Sequence, residues 1–81
     1  MSDPSSISPV SSDIFDEMAA VWPSAIVARR MVREFTGGLI SPKTMANLDS
    51  LGQGPEGRFI ANSATAYPVK NLVTWLRSRS K

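Results

Sequence analysis

Ser41-Pro42-Lys43-Thr44-Met45-Ala46-Asn47-Leu48-Asp49-Ser50-Leu51-Gly52 holds the clearest helix start in the chain. Ser41 is a good N-cap, and Pro42 suits the first helical position, where no N–H is needed. The helix is predicted to run to about Leu51 and to stop at Gly52. Met45 and Leu48 form its inward stripe, with Leu51 at the edge. Lys43, Thr44, Ala46, Asn47 and Ser50 are left facing out.

Beyond this helix, Gly54-Pro55-Glu56-Gly57 reads as a turn-rich linker. Arg58-Phe59-Ile60-Ala61 and Thr65-Ala66-Tyr67 read as two short strands, joined by Asn62-Ser63-Ala64 into a hairpin. Pro68-Val69 leads into a last helix over about Lys70 to Arg79. Val69, Leu72, Val73 and Leu76 lie on one stripe of it, with Trp75 beside them. Arg77, Arg79 and Lys81 crowd its end, where cations suit the helix dipole.

On the other side, Gly37-Gly38 stops a helix expected over roughly Ala28 to Thr36. Its buried side is Met31, Val32 and Phe35, with Arg29, Arg30 and Arg33 outside. Ser24 to Val27 reads as extended. Trp22-Pro23 ends an earlier helix, because the residue before proline is pushed out of the helical region. That helix starts at a Ser12 or Asp13 cap and carries Ile14, Phe15, Met18 and Val21 at helical spacing. Residues 1–11, rich in Ser and Pro, are predicted to form a disordered tail, and residues 12–23 an acidic N-terminal helix.

With 81 residues, the sequence makes one small domain whose core has little to spare. It has no cysteine and no histidine. Disulfides and thiolate metal sites are excluded, and so are the commonest general base and metal ligand. The serines have no histidine partner, and the seven carboxylates are scattered. The residues therefore offer no acid–base or nucleophile set, no metal cage and no reason to expect a cofactor, and a non-enzymatic role is expected. No apolar stretch approaches the roughly 20 residues that span a bilayer. The N-terminus lacks a basic region followed by an apolar block, so it does not read as a secretory signal. A cytoplasmic protein with no membrane contact is expected. Net charge is +2, but it is segregated: residues 1–22 carry −4 and residues 23–81 carry +6. Such asymmetry suits a polyanionic partner for the basic part, or simply solubility; charge alone does not separate the two.

Gly52-Gln53-Gly54-Pro55-Glu56-Gly57 matches the spelling of a dinucleotide-binding loop. That loop needs a strand before it and a helix after it, so that the pyrophosphate meets a helix N-terminus. Here a helix precedes and a strand follows, and Pro55 removes an N–H. Nucleotide binding is rejected on those grounds.

The ordered set Ser41-Pro42-x-Thr44-Met45, Leu48, Gly52-x-Gly54-Pro55, Tyr67 and Leu72-x-x-Trp75-Leu76 resembles the excisionase-type winged helix-turn-helix modules related to the MerR superfamily. The match covers about Ile26 to Ser80. The resemblance implies an α+β, mostly helical fold: a winged helix-turn-helix domain over residues 24–81, with a short two-stranded hairpin and the extra N-terminal helix. The small-Pro-x-Thr segment would open the recognition helix, and Gly-x-Gly-Pro would lead into the wing. It implies small DNA-binding accessory proteins: recombination directionality factors of mobile elements, or transcriptional regulators. Wings of this family often carry Arg or Lys at the tip, whereas this tip is Asn62-Ser63-Ala64.

In that setting Lys43, Thr44, Asn47 and Ser50 become the candidate recognition surface, since Asn pairs with adenine and Lys with guanine or phosphate. An ordinary solvated helix face is the competing reading. Arg29, Arg30 and Arg33 are candidate phosphate contacts, which position without reading sequence. Arg58 and Lys70 flank the hairpin as lesser phosphate candidates, and Ser63 and Thr65 offer hydroxyls from the wing. Tyr67 and Trp75 read as core.

The expected partner is double-stranded DNA, with an integrase or recombinase as a further partner. Lacking a long C-terminal coiled coil, the chain is expected to be a monomer that binds DNA cooperatively. The alternative is a protein-interaction module in which the acidic N-terminal helix, with Phe15 and Trp22, binds a recombinase or regulator. A mixed version has the acidic segment folding back on the basic face and weakening DNA binding; deletion of residues 1–22 would then tighten it.

Overall fold

The computed structural model describes residues 14–79. The expected Ser12 or Asp13 cap, the 1–11 tail and Lys81 lie outside them. Helix α1 spans Ile14–Val21, strand β1 Ile26–Ala28, helix α2 Val32–Phe35, helix α3 Pro42–Ser50, strand β2 Phe59–Ala61, strand β3 Ala64–Pro68 and helix α4 Val69–Arg79. A 3₁₀ turn, Arg29–Met31, joins β1 to α2. Among the described residues this makes an α+β fold of four α-helices and one three-stranded antiparallel sheet, ordered β1-β3-β2.

The start of α3 follows local chemistry. Ser41 is extended, and its hydroxyl accepts the Thr44 N–H at 3.1 Å, with Pro42 next in line. The end is a Schellman motif. Gln53 N–H donates to the Leu48 carbonyl at 2.8 Å, Gly52 N–H donates to the Asp49 carbonyl at 3.1 Å, and Gly52 takes the left-handed φ of 73°. Helix α2 closes the same way: Gly38 N–H donates to Arg33 and Gly37 N–H to Glu34. Both Gly37 and Gly38 have positive φ.

The hairpin turn is tighter than the three residues expected. Only Asn62 and Ser63 lie between the strands, with φ of 52° and 61°. Two successive left-handed residues are the signature of a type I′ turn, whose twist matches the strands it joins.

The sheet corrects the two-stranded expectation. Ile26, Val27 and Ala28 pair with Pro68, Tyr67 and Ala66, so β3 is the central strand. The pairing continues past the strand, where the Val69 N–H donates to the Ala25 carbonyl at 2.9 Å. Backbone groups of Ile26–Ala28 thus find partners on β3, and the helix expected from Ala28 begins only at Val32, after the 3₁₀ turn.

The core is Val27, Val32, Phe35, Met45, Tyr67, Val69, Leu72, Val73 and Leu76. Phe15, Met18, Ala19 and Trp22 pack on it from α1 and its exit. Trp22 meets Phe35 edge to face at 5.2 Å and donates to the Ile26 carbonyl at 2.9 Å. The acidic helix therefore docks on the domain. Asp16 pairs with Arg77 of α4 at 3.0 Å, and Arg77 also lies over the Phe15 ring. Met31 turns outward instead of into the core, Ile14 and Val21 of the α1 stripe are exposed, and Leu51, expected at the edge of the α3 stripe, is 67% exposed. Leu48 is half-buried, and the buried residues of α3 are Met45 and Asp49. No helix among the described residues is long and apolar enough to cross a membrane.

Candidate nucleic-acid interface

Lys43, Asn47 and Ser50 recur at helical spacing along α3 with Thr44 beside them, opposite Met45 and Asp49. All four are exposed. Two are partly committed to the helix itself. Thr44 Oγ1 lies 3.0 Å from Ser41 Oγ within the cap, and Ser50 Oγ donates to the Asn47 carbonyl at 3.0 Å. The side chains of Lys43 and Asn47 carry no such bond among the described residues and are the ones ready for a ligand.

The inward side of α3 carries a charge. Asp49 is 6% exposed, and its Oδ2 accepts two short bonds. One comes from the Tyr67 hydroxyl at 2.6 Å, the other from Arg29 Nη2 at 2.6 Å. Arg29 Nε also donates to the Tyr67 hydroxyl at 3.0 Å. These bonds close a ring between α3, the 3₁₀ turn and β3. Burial and the bond to Asp49 push the Tyr67 phenol above its ordinary value, so it stays a donor. The bond that Arg29 donates to Tyr67, outweighing partial burial, holds Arg29 above its own ordinary value and charged.

Asp49 Oδ1 is buried and accepts no hydrogen bond among the described residues. Arg58 Nη1 approaches it to 3.5 Å as an ion pair without hydrogen-bond geometry, from a side chain 48% exposed. The loop after α3 covers the same oxygen: a methyl group on Gly54 would fall on Asp49 Oδ1. Trp75 secures that loop by donating to the Gln53 carbonyl at 2.9 Å, and Asn71 does so by donating to the Glu56 carbonyl at 3.0 Å. Trp75 is half-buried, clamping the loop at the edge of the core.

The expected site residues separate into groups. Arg58 is drawn to α3 through Asp49. Arg29 does not stand outside as expected; it is consumed by Asp49 and Tyr67, because a buried carboxylate requires a partner. Arg30 and Arg33 are exposed on the 3₁₀ turn and α2. In the hairpin, Thr65 is half-buried and pairs across the sheet with Ile60, which is 74% exposed. Ser63 is exposed at the turn. The outer half of the hairpin is thus neutral, and its cation sits at the base. Lys70 lines a groove with Ala19, Ser24, Ala25 and Pro68, alongside α1 and with no α3 residue in it. Asp16 of the acidic helix pairs with Arg77 of α4.

Sequence reasoning missed the Asp49 cluster. A signal existed: Asp49 lies four residues after Met45 and so shares its inward face. Read for charge alone, Asp49 was only one carboxylate in a basic segment. Compared with known proteins, the chain matches no family model, no curated protein and no solved structure.

Proposed function

We propose that the protein is a sequence-specific DNA-binding accessory protein with a winged helix-turn-helix arrangement. Helix α3 enters the major groove with Lys43 and Asn47 toward base edges, and the β2–β3 hairpin lies over the adjacent backbone or minor groove. Arg30 and Arg33 meet phosphates beside the recognition helix. Recombination directionality in a mobile element and small-scale transcriptional regulation both fit this reading, and an integrase or recombinase is the natural protein partner for the first.

The supporting observation is an adjacency. The polar outer stripe of α3 and the cation at the base of the hairpin, Arg58, are joined through one residue of that same helix, Asp49. Asp49 thereby ties the base of the hairpin to this helix, and a helix with a hairpin cation beside it suits a duplex with its groove and neighbouring phosphates.

The test is a titration with short duplexes at several salt concentrations. Affinity should fall steeply and log-linearly with salt, through counterion release. Absence of binding to any duplex at about 50 mM salt, where phosphate contacts are strong, would overturn the reading.

A second reading has one observation in its favour. The outer side of α1 leaves Ile14 and Val21 at 60% and 81% exposure beside Glu17. An acidic helix with an open apolar edge suits a protein partner, and this reading predicts that Val21→Asp abolishes recombinase or regulator binding while DNA affinity is unaltered.

A further inference from the structure

Asp49 binds two arginines unequally. Arg29, 27% exposed at its side chain, makes a 2.6 Å contact to Oδ2 and a second bond to Tyr67. It balances the carboxylate one for one. Arg58 is surplus to that balance. It is nearly half exposed, lies 3.5 Å from Oδ1, and makes no hydrogen bond to it. Oδ1 itself is closed off on one side by the Gly54 backbone, and among the described residues Arg58 is the charged group that approaches it besides Arg29. The hairpin beyond Arg58 has no cation of its own: Asn62, Ser63, Ala64 and Thr65 are neutral. Whatever charge the hairpin offers to a polyanion is therefore Arg58, and Asp49 governs it.

We infer that Asp49 is a specificity-determining residue that restrains Arg58, holding it beside α3 in the free protein and yielding it to a backbone phosphate only when α3 is seated in its groove. This rests on the DNA-binding reading above. The exchange leaves Asp49 neutralised by Arg29 and Tyr67, so no bare buried charge is created. On unrelated DNA, where α3 finds no base partners, Asp49 competes with phosphate for Arg58, and non-specific affinity stays low. Each phosphate that an arginine engages or releases changes the slope of log affinity against log salt by about one.

The experiment measures binding of the full chain to a selected high-affinity duplex and to an unrelated duplex across a salt series. Asp49→Asn keeps the shape and an acceptor for Tyr67 but releases the charge. It should bind the unrelated duplex about threefold or more tighter, with a salt slope steeper by about one. The preference for the selected duplex should shrink accordingly. Adding Arg58→Ala to Asp49→Asn should abolish that gain, which assigns it to Arg58 and not to Arg29. Arg58→Ala alone, an exposed position, should leave the melting temperature unchanged and make the slope on the selected duplex shallower by about one. A merely structural Asp49 predicts weaker binding to both duplexes with the parent slope. That result, or a parent slope in Arg58→Ala, overturns the inference while the parent still binds DNA. Failure of the parent to bind any duplex instead removes the reading on which it rests.

Discussion

The Tyr67 hydroxyl donates a 2.6 Å hydrogen bond to Asp49 Oδ2, tying the central strand of the sheet to the buried side of α3. The two residues lie 18 positions apart, and Arg29 closes the ring to both. This bond, between a buried phenol and a buried carboxylate, orients the candidate recognition helix against the hairpin.

Tyr67→Phe removes the bond and keeps the ring in its pocket. Stability should drop by about 1.5–3 kcal/mol, the range for a hydrogen bond to a charged group. Urea unfolding followed by tryptophan fluorescence would read it as a lower midpoint with an unchanged slope. A midpoint equal to the parent's would mean that the bond contributes nothing net.

The same residue predicts the alkaline limit of the fold. Tyr67 is the single tyrosine in the chain, so tyrosinate absorbance reports on it alone. Burial first, and then Asp49, raise its pKa above the ordinary 10.0. The protonated phenol is favoured in the folded state, so its contribution is complete below the unfolded value and is lost as pH rises through the folded one. Tyrosinate should appear at higher pH in the native protein than in urea, and stability should decline above pH ~10. Coincident native and unfolded titrations would contradict this.

Gly54 and Gly52 should fail for different reasons. Gly54→Ala places a methyl group on the Asp49 carboxylate, which two short bonds hold in place. The cost is expected to be about 1–3 kcal/mol, as for overpacking in a core. Gly52→Ala meets open space but must hold a φ of 73°, at about 1 kcal/mol. In an Asp49→Ala background the Gly54→Ala cost should shrink and the Gly52→Ala cost should not. Equal costs of Gly54→Ala in both backgrounds would exclude the steric coupling.

Ser41→Ala removes the side-chain acceptor of the Thr44 N–H at the start of α3. A loss of about 1 kcal/mol is expected. Thermal unfolding checks it, with Thr44→Val as a companion that keeps the backbone bond and should cost less.

On DNA, Asn47→Ala should relax sequence preference by about 1–3 kcal/mol at one base pair. Arg30→Ala should weaken all duplexes alike and flatten the salt slope by about one. Competition against a randomised duplex pool separates the two. Parent-like binding by both variants would rule out docking through α3.

Much of the fold was legible because its punctuation is local. Ser41, Pro42, Gly37, Gly38 and Gly52 act on backbone groups three to five residues away, and the structure uses each of them as read. The apolar stripe of α4 was equally plain, since Val69, Leu72, Val73 and Leu76 all reach the core. Strand β1 was harder. Ile26-Val27-Ala28 carries no signal stronger than extended, and its partner strand lies some forty residues away. At the candidate site, the outer face of α3 was visible from spacing alone. Its inner face was read only in part, because Met45 and Leu48 were expected to form the inward stripe and the chain buries Asp49 beside Met45.

The sequence by itself determined where α3 begins and ends, where α2 stops and which face of α3 is exposed and polar, because capping and periodicity depend only on near neighbours. Only the tertiary structure decided the three-stranded sheet, the docking of α1 and the fate of the arginines. A guanidinium is free or bound according to what long-range folding brings beside it. Here a buried carboxylate and a phenol take Arg29, while Arg58 is left half in solvent at the base of the hairpin.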